Sequence, residues 1–198
     1  MQIFTKACIA GIGLLLAAPA SAEVLVSVRQ KNYDISGTSG VALLEAMDRR
    51  GPKHGFLTRA IAQTGYSVGW EIEWGTANGT CRVKNAKAEL AITYTFPRVV
   101  NPMTPAMGRR WSRFMAGVQK HEQTHGTLAR QMVQTAERQV SRMSMKNDPN
   151  CSKTRSAVKR KVAAIYADYE ARQVQFDSKE HRQGGRVEGL VDALVKAR

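Results

Sequence analysis

The chain has 198 residues, with 30 basic and 16 acidic side chains, a formal net charge of +14 and 43% hydrophobic residues. This length is enough for one domain with a hydrophobic core. The sequence excludes a convincing transmembrane helix, since no apolar run is long enough, and it contains no recognised nucleic-acid-binding module. The positive charge is most simply that of a solvated surface, although it also suits binding to anionic polymers.

The first 22 residues, Met1 to Ala22, have the features of a secretory signal peptide. Lys6 supplies the positive n-region, an apolar stretch follows, and Ala20-Ser21-Ala22 matches a small-residue cleavage site. Cleavage near Ala22 leaves residues 23–198, that is 176 of the 198 residues, as a single domain with a net charge of +13. We therefore expect a periplasmic or secreted protein.

The first half of this domain begins with a strand and a short helix. Residues 23–29 form a weakly patterned strand. Thr38 or Ser39 can cap a short helix, which Gly51-Pro52 then ends.

Two alternating segments follow, with the period of two that is typical of half-buried strands. The first runs from Tyr66 to Trp74, and Asn78-Gly79 after it is a tight-turn signal. Cys81 to Val83 begins a return strand, and a further alternating run extends from Leu90 to Phe96. These segments predict an antiparallel meander.

The second half has the three-and-four spacing of apolar residues that predicts amphipathic helices. Thr104 is a suitable N-cap for a long helix, with Pro105 in its first turn. A turn at residues 147–150 precedes a second helix, and the two should form an antiparallel hairpin about Pro149. A short amphipathic segment, residues 187–195, can cover the core, act as a lid or dock a partner. The predicted fold class is α+β, with an N-terminal antiparallel β-meander and a short helix packed on a long C-terminal helix hairpin.

The long helix carries His121-Glu122-Gln123-Thr124-His125, an H-E-x-x-H pattern. Histidines four residues apart lie on one helical face and can bind a single zinc ion. The adjacent Glu122 can act as general base toward water that the metal activates. Both histidines fill places in the apolar stripe of the helix, so they face the interior. The alternative, two ordinary helix histidines beside a solvated glutamate, is disfavoured because burying such groups without partners is costly.

A third zinc ligand is expected on the second helix. Glu122 lies 27 residues before Pro149, so residue 176 should be level with it, and at about 1.5 Å rise per residue His181 lies within a turn or two. Carboxylates in the same part of the chain are rivals for this role: Asp168, Glu170, Asp177 and Glu180. His54, in a Gly-Pro-Lys-His-Gly loop, is expected to be exposed.

Cys81 and Cys151 are the cysteines that remain after cleavage of the signal peptide. Two cysteines in an exported protein most simply form one disulfide bond, and the alternative is two buried free thiols. The bond would close a loop of about 70 residues and stabilise the fold by roughly 4 kcal/mol in the chain-entropy model.

These features resemble a bacterial domain-of-unknown-function family described as predicted secreted zinc-dependent proteases. The specific part of the resemblance is His121-Glu122-x-x-His125 on a long helix, with the later His181 in an exported two-cysteine chain. The resemblance covers Tyr33 to Gly184 and includes the segment Leu43–Pro52 that ends in Arg49-Arg50-Gly51-Pro52, the strand with Trp70 and Trp74, and Trp111. A glycine usually follows the downstream histidine in that family, whereas Arg182 follows it here. The resemblance implies a peptidase.

Three functional hypotheses follow. The leading one is an exported zinc metallopeptidase that cleaves a peptide or protein substrate, with His121, His125 and His181 as zinc ligands and Glu122 as the catalytic base. The second is a non-catalytic envelope protein in which zinc joins the two helices, and a fourth ligand such as Asp177 or Glu180 closes the site. The third is a basic protein that binds anionic envelope polymers such as lipopolysaccharide or acidic glycans.

Overall fold

The computed structural model describes residues 24–54 and 58–196. The predicted signal peptide, residues 1–22, lies outside the described residues. The described part of the chain forms the following strands and helices, in chain order: β1 (Leu25–Ile35), α1 (Gly40–Arg50), β2 (Lys53–His54), β3 (Thr58–Arg59), β4 (Gln63–Ala77), β5 (Thr80–Val99), α2 (Pro105–Val140), β6 (Ser144–Met145), α3 (Ser152–His181) and α4 (Arg186–Val195). The predicted α+β class is confirmed.

The main sheet is mixed and has the order β1, β5, β4, with the short β6 also paired to β5. β4 and β5 form an antiparallel hairpin. Asn78 and Gly79, at its tip, both have positive φ, as the favoured two-residue hairpin turns require. The turn predicted from Asn78-Gly79 is therefore confirmed. β2 and β3 form a separate two-stranded ribbon.

The predicted antiparallel meander is wrong in two respects. β1 pairs in parallel with the second half of β5, which is possible because α1 and the β2–β3 ribbon intervene between β1 and the β4–β5 hairpin. The return strand from Cys81 and the alternating run from Leu90 are one continuous strand, β5. The pairing of β4 with β5 changes register between Glu73 and Trp74, and both strands stay paired beyond this point without a turn.

The helices cover one face of the sheet. Along β5, Leu90 and Ile92 are buried while Glu89 and Ala91 are exposed, so the predicted alternation is confirmed for this run. α2 and α3 pack on the buried face, and the central core combines residues of all three elements: Ala88, Leu90, Ile92, Ala129, Met132, Val133, Ala136, Ile165 and Tyr169.

The turn between α2 and α3 lies against the sheet and caps α3. Cys81 and Cys151 lie with their sulfur atoms 2.14 Å apart, at disulfide distance, so the predicted bond between them can form. Cys151 precedes α3 in a left-handed conformation and provides no side-chain cap. Asp148 caps α3 instead, because its Oδ2 accepts hydrogen bonds from Thr154 N at 2.8 Å and from Thr154 Oγ1 at 2.7 Å.

The short helices α1 and α4 close the other end of the molecule. Ser39 is the N-cap of α1 and accepts from Ala42 N, which settles the choice between Thr38 and Ser39. Leu194 of α4 is fully buried. A Cβ on Gly40 would collide with the backbone of Leu194, so α1 and α4 are in close contact. Of the three roles considered for residues 187–195, α4 therefore has at least that of covering the core.

Within residues 24–54 and 58–196, no helix is both long and apolar enough to cross a membrane.

Candidate metal centre and cleft

The H-E-x-x-H residues lie in the middle of α2 and face inward. His121 and Glu122 are buried, with 8% and 6% of their surfaces exposed, and His125 is half-buried. They are buried because the stripe of α2 that contains Val118 and Met132 packs against the core. The two imidazoles lie one helical turn apart with ring centroids 4.9 Å from each other.

α3 faces these residues in the antiparallel register that the turn dictates. His121 contacts Asp177, and both residues are 28 positions from Pro149. His125 contacts Gln173, and both of these are 24 positions from Pro149. Residues at equal distances from the turn therefore face each other across the two helices.

Three donor atoms converge between α2 and α3. His121 Nε2 and His125 Nε2 are 3.2 Å apart, and Asp177 Oδ1 lies 3.2 Å from the first and 2.8 Å from the second. Zinc–ligand bonds of 2.0–2.2 Å in a tetrahedral arrangement separate neighbouring donors by roughly 3.2–3.6 Å. The two separations that involve His121 Nε2, each 3.2 Å, match the lower end of this range. The separation between His125 Nε2 and Asp177 Oδ1, 2.8 Å, is slightly shorter.

The chemistry of these three atoms also favours a cation. Ring nitrogens without a proton and a carboxylate oxygen all present lone pairs, which repel each other at such distances unless a proton or a metal ion lies among them. The residues present therefore fit a divalent metal ion, because imidazole nitrogen and carboxylate oxygen are both ligands that zinc accepts.

Gln173 and Phe176 orient the imidazoles. Gln173 Oε1 makes a short contact with His125 Nδ1, and its Nε2 donates to the backbone carbonyl of His125 at 3.2 Å. A hydrogen bond from Nδ1 to Gln173 leaves the lone pair of Nε2 free to bind a metal. Phe176 stacks on the ring of His121, with centroids 4.9 Å apart, and so shields one side of the cluster with an apolar surface.

The contacts shift the pKa values within the cluster. Burial disfavours the ionised form of Asp177, but hydrogen bonds with His121 and His125 outweigh it and hold the pKa of this carboxyl well below its usual range. Burial likewise opposes the charged form of His125, but Asp177 and Gln173 raise the pKa of that imidazole above its ordinary value. The cluster is thus centred on a carboxylate that stays ionised.

His181 and Glu180 lie beside the cluster at the end of α3. One ring nitrogen of His181 lies within 4.8 Å of the donor atoms of His121 and Asp177, so the predicted third ligand is close, although Asp177 contacts both histidines directly. Burial and the charge of His121 lower the pKa of His181. Glu180 Oε2 lies 3.8 Å from His121 Nδ1, a buried atom with no hydrogen-bond partner in the described part of the chain.

The other candidate ligands lie elsewhere. Asp168 forms an ion pair with Arg172 on the exposed side of α3, and Glu170 is also exposed on this helix. His54 belongs to β2, where it is opposite Thr58 in the two-stranded ribbon. The loop predicted around His54 is therefore wrong at this residue, since a short strand begins one residue before it.

Glu122 is positioned by the first residues of β4. Thr64 Oγ1 lies 2.6 Å from Glu122 Oε2 and 3.0 Å from the backbone oxygen of Glu122. A hydrogen bond from this hydroxyl fixes the carboxylate in one orientation next to His121 and His125, and still leaves it lone pairs for another donor.

The cluster lies in the wall of an open cleft of about 730 Å³. α2 and α3 supply one wall, residues 59–64 supply another, and α4 supplies the third through Val187, Glu188 and Val191. Glu122 and the possible metal ligands lie among the lining residues: His121, His125, Asp177 and His181. A cleft of this size is within the usual range for ligand sites, which is about 300–1,000 Å³.

Gly126 lies directly against a side chain of the sheet. A Cβ at this position would collide with Oη of Tyr94 on β5. The glycine therefore lets β5 and α2 approach closely beside His125. Burial raises the pKa of the Tyr94 hydroxyl above its ordinary value.

Sequence reasoning missed two residues of this site, Thr64 and Gln173. Gln173 could have been found, because it precedes Asp177 by one turn and is level with His125 about the turn. Thr64 carries no such signal, since it is 58 residues from Glu122 and reaches it only through the packing of β4 on α2.

Comparison with known proteins identifies the family. A family model described as "Bacterial protein of unknown function (DUF922)" matches residues 30–185. The chain belongs to this family. The DUF922 match includes the whole cluster from His121 to His181, and its description names no activity, so the protease character implied by the resemblance stays a prediction. No curated protein and no solved structure matches the chain.

Proposed function

We propose that this DUF922 protein is a zinc-dependent metallopeptidase. The observation that carries the proposal is the convergence of His121 Nε2, His125 Nε2 and Asp177 Oδ1 within 3.2 Å of one another. Glu122 adjoins these donors, and the cleft gives a substrate access to them. His121, His125 and either His181 or Asp177 would hold the zinc ion.

The residues of the chain have distinct roles in this proposal. Zinc, when bound, supplies Lewis acidity that makes both water and a peptide carbonyl more reactive. Glu122 accepts the proton of the attacking water and later delivers it to the leaving amine. Thr64 holds the carboxylate of Glu122 in place, and Gln173 keeps His125 in the tautomer that can bind metal.

The cleft supports a peptide as substrate. Its walls combine apolar side chains, among them Ile61, Val118 and Val191, with the charged groups Asp48 and Arg59. An extended peptide presents both apolar side chains and polar backbone groups to such a surface. We therefore expect cleavage next to apolar residues.

A Glu122→Gln variant tests the proposal. It preserves the shape of the side chain but removes the base, so zinc should remain stoichiometric while digestion of a peptide library falls by at least about 100-fold. His121→Ala should lose the metal as well as the activity. Glu45→Gln, an exposed acid on α1, is the matched control and should behave as the parent. Undiminished digestion by Glu122→Gln would refute the peptidase, and stoichiometric zinc in His121→Ala would refute the ligand assignment.

A zinc site without catalysis is the second candidate, and the position of His181 favours it. His121, His125, Asp177 and His181 could together supply four ligands, which is the closed arrangement of structural zinc sites. X-ray absorption of the zinc-loaded protein distinguishes the two candidates. Four protein ligands and no water would favour the structural role, whereas three protein ligands and one water would favour the peptidase.

We also propose that the protein is exported. The support is the signal-peptide pattern of residues 1–22. N-terminal sequencing of the mature protein should begin at Glu23. A mature protein that retains Met1 and residues 2–22 would contradict this.

A further inference from the structure

A second cavity, of about 790 Å³, lies between the first turns of α2 and the end of α4. We call it the basic groove. It is lined by four cationic side chains and one carboxylate: Arg109, Arg110, Arg113, Lys196 and Asp192. It shares none of its lining residues with the cleft that contains the histidines.

The cations of the basic groove differ in what they contact. Arg110 donates to the carbonyl oxygens of Leu194 and Lys196 at 3.4 and 3.3 Å, and so binds the C-terminal end of α4, where a positive charge is favourable. Lys196 forms an ion pair with Asp192. The Arg110 contacts hold the end of α4 against α2. The ion pair within α4 occupies the only carboxylate that lines the groove in the described part of the chain.

Arg109 and Arg113 have no such partner among the described residues. Neither takes part in an ion pair within the described residues, and both are exposed on α2 one turn apart. Arg109 lies just beyond the first turn of α2, near the positive end of the helix dipole, and that turn contains no acidic residue. The two guanidinium groups lie one turn apart on the wall of the groove, where a bound anion would relieve their mutual repulsion.

We propose that the basic groove binds phosphate groups, with Arg109 and Arg113 as the principal contacts. Two guanidinium groups one turn apart can each form paired hydrogen bonds with a phosphate, whereas one carboxylate presents only two oxygens. The size of the groove suits a small phosphorylated molecule or a lipid headgroup. This inference does not depend on the peptidase proposal.

Titration with inorganic pyrophosphate and with phosphatidylglycerol vesicles tests the inference. Three proteins are compared: the parent, Arg109→Gln with Arg113→Gln, and Lys159→Gln with Arg160→Gln. The last pair removes the same charge from exposed positions on α3, outside the groove. Neither pair lines the cleft, so phosphate bound at the histidine cluster contributes equally to all three proteins. Phosphatidylcholine vesicles control for adsorption to lipid.

We expect the parent to bind saturably. Its affinity should fall at least about tenfold in the double variant Arg109→Gln with Arg113→Gln and stay unchanged in the control double variant. Selective loss with pyrophosphate supports a soluble phosphorylated ligand. Selective loss seen only with phosphatidylglycerol supports a lipid headgroup. Equal weakening in both pairs would show a general effect of net charge and overturn the inference, as would the absence of binding to either probe.

Discussion

The two ends of the α2–α3 hairpin differ in what holds them together. The closed end, around the turn at residues 147–150, has the Cys81–Cys151 pair at disulfide distance, the Asp148 cap and an apolar cluster that includes Val140 and Val158. The open end has imidazoles and carboxylates that face each other across the same two helices and border the cleft.

Contacts at the closed end stabilise the fold, whereas residues at the open end form the candidate site. At the closed end, Asp148 accepts hydrogen bonds from α3 and apolar side chains are buried, and these contacts favour the folded state. One carboxylate oxygen of Glu137, a turn before Val140, is buried there without a hydrogen-bond partner among the described residues. At the open end, several lone pairs converge and one buried ring nitrogen of His121 has no partner among the described residues. The open end can tolerate this arrangement because the closed end fixes the register of the two helices.

The largest expected effect is the loss of metal from the open end. His125→Ala removes a donor atom, and we expect zinc affinity to fall by more than about 100-fold. Loss of a residue that only hydrogen-bonds to a metal ligand already lowers metal affinity by about 10–100-fold. Titration with a zinc-binding dye measures this. The metal-free variant should unfold close to the metal-free parent. A variant that keeps parental affinity would remove His125 from the site.

Removal of the predicted disulfide should lower the stability of the fold and leave zinc affinity unchanged. Cys81→Ala with Cys151→Ala frees a loop of about 70 residues, and the free energy of unfolding should fall by about 4 kcal/mol. Urea unfolding followed by circular dichroism measures it, with the parent under reducing conditions as the control. Zinc affinity measured under folding conditions should stay the same. A parallel loss of zinc affinity would show that the two ends are not independent.

The orientation of His125 by Gln173 gives a third test. Gln173→Ala removes the contact at Nδ1, so we expect zinc affinity to fall by about 10–100-fold. Gln175→Ala, at an exposed position on the same helix, is the matched control and should leave the affinity unchanged. Equal affinities in the two variants would mean that Gln173 does not support the metal site.

A smaller effect is expected from the hydroxyl of Thr64. Thr64→Val preserves the shape of the side chain but removes the hydrogen bond to Glu122, and we expect kcat to fall about tenfold with zinc content unchanged. Thr64→Ser retains the hydroxyl and should recover most of the activity. Activity of Thr64→Val equal to that of the parent would contradict a positioning role.

The smallest effect concerns how stability depends on pH, and it should be present near neutral pH and disappear in acid. Burial opposes ionisation of Asp148, but hydrogen bonds from Thr154 and Lys153 outweigh it and keep the pKa of this carboxyl below its ordinary value. A lowered pKa in the folded state contributes stability that is complete above about pH 4 and is lost as the pH falls through the folded pKa. Urea unfolding at several pH values should show that Asp148→Asn flattens this dependence. An unchanged dependence would contradict the assignment.

Much of the candidate site could be predicted from local patterns. The spacing of His121 and His125 and their places in an apolar stripe fixed their common inward face, because a helix repeats every 3.6 residues. The turn at Pro149 then placed Asp177 and His181 opposite them. Where the prediction concerned pairing between distant strands it was wrong, since alternation indicates which face of a strand is buried but not which strand is its neighbour or in which direction it runs.

The sequence by itself indicated two long helices joined by a turn, the inward imidazoles, and Cys81 and Cys151 as the candidates for a disulfide bond, because each follows from local periodicity or from the small number of partners. Only the tertiary structure decided that β1 runs parallel to β5, that Thr64 reaches Glu122, and that Asp177 contacts both imidazoles directly. These features depend on packing between segments far apart in the chain, and no short-range pattern records which of them meet.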